Sequence, residues 1–103
     1  MGSTSALTES VFYILLSLDS PLHGYAIMQH IKSITNGRIN MGAGTLYGAL
    51  SVLLERGYIE ELQSADPSRR EYRRTKAGTA VLEGEIHRLH ELLHNADLYF
   101  KED

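Results

Sequence analysis

Four guanidinium groups, those of Arg69, Arg70, Arg73 and Arg74, crowd one short stretch of the chain, and Lys76 follows them. Like charges this close repel unless something negative answers them, and the planar fork of arginine matches the oxygens of a phosphate. Anion binding is therefore the first chemistry the residues offer. The competing reading is a solvated strand on which Glu60, Glu61 and Glu71 face the arginines across a sheet, each pair contributing little.

The second chemistry is that of a groove-reading helix. Between Gly44 and Arg56 the residues Leu46, Leu50, Leu53 and Leu54 fall on one side of a helix, leaving Thr45, Gly48, Ser51, Val52 and Glu55 on the other. A helix that enters the major groove of DNA needs a slim outward face with hydrogen-bonding groups near its N-terminus. Gly44, Thr45, Gly48 and Ser51 provide such a face. It lacks Arg, Lys, Asn and Gln, so base readout from it is sparse, and a plain amphipathic helix has the same periodicity.

A third constellation is histidine. His87, His90 and His94 share one helical face, with Glu83 and Asp97 in the same stripe. They are weak candidates for a transition-metal site or a pH-sensitive patch. Without a ligand from another element, the stripe reads better as a polar flank, and no metal or cofactor is expected. Catalysis has little support. There is no nucleophile motif and no paired-carboxylate arrangement, and Gly42-Ala43-Gly44 lacks the lysine and preceding strand of a phosphate loop. The chain is expected not to be an enzyme.

The elements that carry these groups follow from periodicity and stop signals. Thr8 caps a helix through Leu18, with Val11, Ile14, Leu15 and Leu18 on its buried face and Asp19-Ser20-Pro21 ending it. A second helix runs from about His23 to Thr35, with Tyr25, Met28 and Ile31 three apart, and Asn36-Gly37 closes it. The third covers roughly Gly44 to Arg56. Tyr58–Leu62 and Glu71–Thr75 read as two short strands around the turn-rich residues Gln63–Ser68. Thr75 caps a long fourth helix reaching Phe100. Leu82, Ile86, Leu89, Leu93, Ala96 and Phe100 recur along it at alternating intervals of four and three, a heptad seam. A helix that outruns a three-helix core needs a second copy to cover such a seam, unless the seam folds back on the first helix. The expected fold is α+β, mostly α, and this element order is that of a winged helix-turn-helix domain with one long C-terminal helix for dimerisation, although packing alone permits other α+β arrangements. The expected division is a leader at 1–6, a DNA-binding domain at 7–76, and a dimerisation helix with its tail at 77–103.

Composition limits the alternatives. A chain of 103 residues is one domain, near the size at which a partner subunit helps. No apolar run is long enough to span a membrane, so no membrane partner is expected. With no cysteine, disulfides are excluded and a cytoplasmic setting is expected. The net charge of −3 runs against nucleic acid, but residues 1–75 are balanced and the acidic excess lies in 76–103.

The segments "PLHGYAIMQHI" (Pro21–Ile31), "GTLYGALSVLLERGYIE" (Gly44–Glu60) and "RREYRRTKAG" (Arg69–Gly78) resemble the PadR family of transcriptional regulators, specifically its short members with a single C-terminal helix. The resemblance covers about Leu7 to Leu93. It implies a homodimer that binds double-stranded DNA at inverted repeats, usually as a repressor relieved by a small molecule or stress signal. It assigns Thr45, Tyr47, Gly48 and Ser51 to the recognition helix and Arg69, Arg70 and Arg73 to the wing. The chain departs from the family pattern at Gly48, often proline, at Ser51 and Val52, where lysines are common, at Glu71-Tyr72, often a tyrosine pair, and at Arg74, usually apolar. It also lacks a Trp on which a flat effector could stack, which leaves any effector unassigned. The alternative function is an effector-binding or protein-interaction winged-helix dimer with weak or no DNA binding.

Overall fold

The computed structural model describes residues 6–63, 66 and 69–100. The expected leader lies outside the described residues apart from Ala6, as do Ser64, Ala65, Pro67 and Ser68 of the turn and the last three residues of the tail. The chain runs α1 (Glu9–Ser17), β1 (Leu22–His23), α2 (Gly24–Ile34), α3 (Ala43–Glu55), β2 (Ile59–Leu62), β3 (Glu71–Arg74) and α4 (Lys76–Tyr99).

Three of the four helices start at a side-chain cap. The Thr8 hydroxyl accepts from the backbone N–H of Val11, and that of Thr75 accepts from Gly78, each satisfying a donor that the first turn leaves free. Ile14 and Leu15 of α1, Ile27 and Ile31 of α2, and Leu46, Leu50 and Leu53 of α3 meet in one core, joined by Ile59, Tyr72 and Leu82. Burying one such aliphatic side chain is worth about 1.5–3 kcal/mol, so this cluster sets the arrangement of the helices.

Two expectations about α2 change. Tyr25 is not on its buried face but 63% exposed, because the stripe follows Gly24, Ile27 and Ile31 instead. Leu22 and His23 form a third strand, which pairs antiparallel with Tyr72 and Glu71 and gives the sheet order β1-β3-β2. Two residues cannot display a period of two, so this strand carries no sequence signal. His23 then caps α2, its Nδ1 accepting from Ala26 N–H at 3.2 Å.

The fourth helix divides. Leu82 is buried and Ile86 packs against the core of the same chain, so the fold-back reading holds for these two members of the seam. Glu85 beside them is also buried. It receives both arms of Arg88 at 2.7 and 2.8 Å and the Leu7 N–H at 3.3 Å, pinning the chain ahead of α1 to α4. The Arg88 guanidinium holds the Glu85 carboxyl below its usual range, outweighing the opposite pull of burial. From Leu89 onward every described residue is exposed. No helix among the described residues is long and apolar enough to cross a membrane.

Candidate nucleic-acid interface

The outward face of α3 is open. Thr45, Tyr47, Gly48 and Ser51 are all exposed, and a methyl group built at Gly42, Gly44 or Gly48 meets nothing within 4 Å. These glycines are therefore not demanded by packing inside the chain; they keep the face slim. The N-cap, Gly42, has no side chain to satisfy the first-turn N–H groups, which leaves the start of α3 as a cluster of free-standing donors at the positive end of the helix.

Tyr47 anchors this face to the fold. Its ring lies over Gly24 at the start of α2, where an added Cβ would come within 2.8 Å of Cζ and closer still to the hydroxyl oxygen. Gly24 is buried for that reason, so the His-Gly-Tyr run of α2 and the Thr-Leu-Tyr run of α3 are two halves of one contact.

The hairpin stands beside this corner, and its register sorts the arginines. Ile59 faces Arg74, Glu60 faces Arg73, Glu61 faces Tyr72 and Leu62 faces Glu71. Side chains alternate along a strand, so Ile59, Glu61, Tyr72 and Arg74 share the core-facing side, and Arg70 continues that row past the end of β3. Burial pushes the Tyr72 phenol up, with the Glu61 carboxylate and Tyr47 adding to the shift and Arg70 opposing it. The structure thus gathers Tyr47, Tyr72, Glu61 and Arg70 at the junction of α3 and the hairpin. Arg73 lies on the opposite side of the ribbon, and Arg69 sits in the loop leading to β3.

Arg74 leaves the basic cluster altogether. Its side chain is only 14% exposed, donating to the Leu15 carbonyl at 2.7 Å, the Thr79 hydroxyl at 2.9 Å and the Asp19 carboxylate at 3.4 Å. A cation against carbonyls of the last turn of α1 is favourably placed in the helix field. Arg74 thereby ties β3 and α4 to the end of α1. Sequence proximity grouped it with its neighbours; strand alternation separates it from Arg73, and its hydrogen bonds to Leu15 and Thr79 draw it away from Arg70. The remaining three arginines each meet an acidic residue, Arg73 with Glu60 at 2.6 Å, Arg70 with Glu61 at 3.4 Å and Arg69 with Asp66 at 4.0 Å.

Among the described residues no group of three or more His, Cys, Asp or Glu is arranged to hold a metal ion, so His87, His90 and His94 do not converge within one chain. Two open grooves flank α1. One, of about 270 Å³, is lined chiefly by Leu7, Val11, Val52, Leu53 and Tyr58. The other, of about 310 Å³, lies between Phe12 and Tyr13 of α1 and Glu85, Arg88 and Leu89 of α4.

Three helices, a sheet whose hairpin stands beside the third, and a long helix behind them define a winged helix-turn-helix protein. The chain belongs to the transcriptional regulator PadR-like family, whose model matches residues 12–84, and the members of that family are regulators rather than enzymes. A transcriptional regulator from Clostridium thermocellum has the same fold, with a TM-score of 0.73 at 24% identity over 91% of this chain and 93% of that one. A PadR family regulator from Eggerthella lenta gives 0.72 at 27% identity over 90% and 82%. An uncharacterised 37.1 kDa protein in a transposon, TN4556, of Streptomyces fradiae is 39% identical over 69 residues. That match takes in 67% of this chain but 19% of the relative, so the chain spans about a fifth of that protein's length.

Proposed function

We propose that the chain is a sequence-specific DNA-binding repressor that acts as a homodimer on an inverted-repeat operator. In this reading residues 7–76 read DNA and residues 77–103 carry the dimer contact. The observation that carries it is the corner where the open face of α3, with Thr45, Tyr47, Gly48 and Ser51, adjoins Arg70 of the wing. The α3 face enters the major groove, and the wing arginines meet backbone phosphate. Paired copies set two such corners on one side of the duplex, which makes the operator symmetric.

The test is a salt series on duplex DNA. Arg69→Ala with Arg70→Ala and Arg73→Ala should weaken binding to all sequences alike and flatten the slope of log affinity against log salt by roughly 0.9 for each phosphate no longer neutralised. Unchanged affinity and slope would show that the arginines are only a solvated surface. The acidic partner on each wing arginine favours one second reading, a winged-helix dimer that binds an effector or a protein and holds DNA weakly or not at all. Absence of salt-dependent duplex binding by the unaltered protein selects that reading.

Gly24→Ala tests the helix face without touching it. The new methyl group displaces the Tyr47 ring, which is 49% exposed and free to swing outward, so the strain cost stays at about 1–3 kcal/mol or less. Preference for a duplex selected from a random pool should fall in Gly24→Ala as it does in Tyr47→Ala, while affinity for unselected DNA stays near that of the parent. Retained preference in both variants would place the reading surface elsewhere.

A further inference from the structure

The wing carries its own counter-charges, and the sheet register dictates their positions. Glu60 and Glu61 are neighbours on β2. Glu60 lies directly across from Arg73, and Glu61 lies across from Tyr72, two residues from Arg70, which is the diagonal reach of a long cross-strand pair. Arg73 Nε donates to Glu60 Oε2 at 2.6 Å, and Arg70 Nε stands 3.4 Å from Glu61 Oε2. The four side chains are between 37% and 62% exposed, so neither pair adds much to folding and neither is needed to hold the strands together. Their consequence lies in what else the guanidinium groups can do. A phosphate must displace a carboxylate to gain full contact, and the displaced carboxylate remains on the adjacent strand, close enough to repel it.

We propose that Glu60 and Glu61 are a brake on DNA binding, lowering the affinity of the wing for the phosphate backbone. This rests on the reading of the chain as a DNA-binding regulator and adds to it a residue-level control of selectivity. Sequence-independent affinity comes almost wholly from neutralising phosphates. A wing that is charge-compensated at rest gains little on an arbitrary duplex. It engages where α3 already fits the groove and holds the backbone against the hairpin. The brake also accounts for a DNA-reading domain whose net charge over residues 7–76 is only +1, since acidic residues in the wing offset most of the arginines that supply its field.

The experiment compares the unaltered protein with Glu60→Gln/Glu61→Gln, which keeps size and hydrogen bonding but removes both charges. Glu83→Gln/Glu91→Gln makes the same charge change on the exposed surface of α4. Binding to a fluorescent mixed-sequence duplex is followed by anisotropy across a potassium chloride series, with circular dichroism confirming the fold of each protein. The wing variant should bind roughly tenfold tighter at low salt, with a slope steeper by about 0.9 for each phosphate newly neutralised, and the α4 variant should gain much less. No gain, or a gain matched by the α4 variant, overturns the brake. Weaker binding also overturns it, showing that the carboxylates hold the arginines in a phosphate-ready pose. If the unaltered protein and both variants all lack salt-dependent binding, the DNA-binding reading itself fails, and the silence of the unaltered protein distinguishes that result from the others.

Discussion

Leu89→Ala combined with Leu93→Ala should convert the protein from dimer to monomer in sedimentation at micromolar concentration while leaving each chain folded. Both leucines lie beyond the part of α4 that packs on the core, at 40% and 62% exposure, and they continue into Leu98, Tyr99 and Phe100, all more than half exposed. A free-standing apolar run of this kind at the end of a 24-residue helix has no cover among the described residues of its own chain. If a second copy covers it, each leucine truncation removes about 1–2 kcal/mol of burial. A two-fold dimer suffers each change twice, so the loss is about 4–8 kcal/mol, or roughly three to six orders of magnitude in dissociation constant. Operator binding should collapse with it, although no residue of α3 or the wing has changed, because a monomer presents one reading head. Leu82→Ala separates the two roles of the helix: it opens a cavity in the chain's own core, and its cost of about 2–5 kcal/mol should appear as a lowered melting temperature. A parent protein that sediments as a monomer would defeat the dimer, and a double variant that remains dimeric would move the interface off this run.

The divided α4 shows what periodicity can and cannot convey. The spacing from Leu82 to Phe100 is uniform, and a uniform seam suggests one partner. The structure gives its first two members to the core and leaves Leu89, Leu93, Ala96 and Phe100 outside, because the length of a helix is local information while the depth of the core it crosses is not. The arginines repeat the lesson on a strand. Their clustering is visible in the chain, but which side of the ribbon each occupies depends on the pairing of Glu60 with Arg73, fixed only once the hairpin forms. The caps at Thr8 and Thr75 and the leucine ladder of α3 were legible because each depends on neighbours a turn away. The strand at Leu22–His23, the histidine cap and the seating of Tyr47 on Gly24 were not, since each is set by how distant segments come together.

Gly78→Ala should be the most damaging single-methyl change in the protein, and Gly84→Ala, six residues along the same helix, should be harmless or stabilising. Helix propensity treats the two alike, favouring alanine by about 1 kcal/mol at either site. Packing does not. At Gly84 a methyl group meets nothing within 4 Å. At Gly78 it collides with the Tyr58 carbonyl, the carbon at 2.9 Å and the oxygen nearer still. That obstacle is backbone and cannot turn aside as a side chain can. It is also held from both ends: the Tyr58 oxygen accepts from Thr75 N–H at 3.1 Å, the Tyr58 N–H donates to Leu53 O at 3.0 Å, and the Thr75 hydroxyl donates to Gly57 O at 2.6 Å. Relief therefore requires α4 to lift off the turn between α3 and β2, breaking the Thr75 hydrogen bonds and withdrawing Leu82 from the core. The combined cost is about 3–5 kcal/mol, a large share of the stability of a domain this size. Thermal unfolding of the two variants beside the parent gives the answer, with Gly78→Ala falling by tens of degrees or failing to fold and Gly84→Ala rising slightly. Equal melting temperatures would mean that α4 does not cross the turn at Gly78, and the placement of α3 relative to α4 would have to be redrawn.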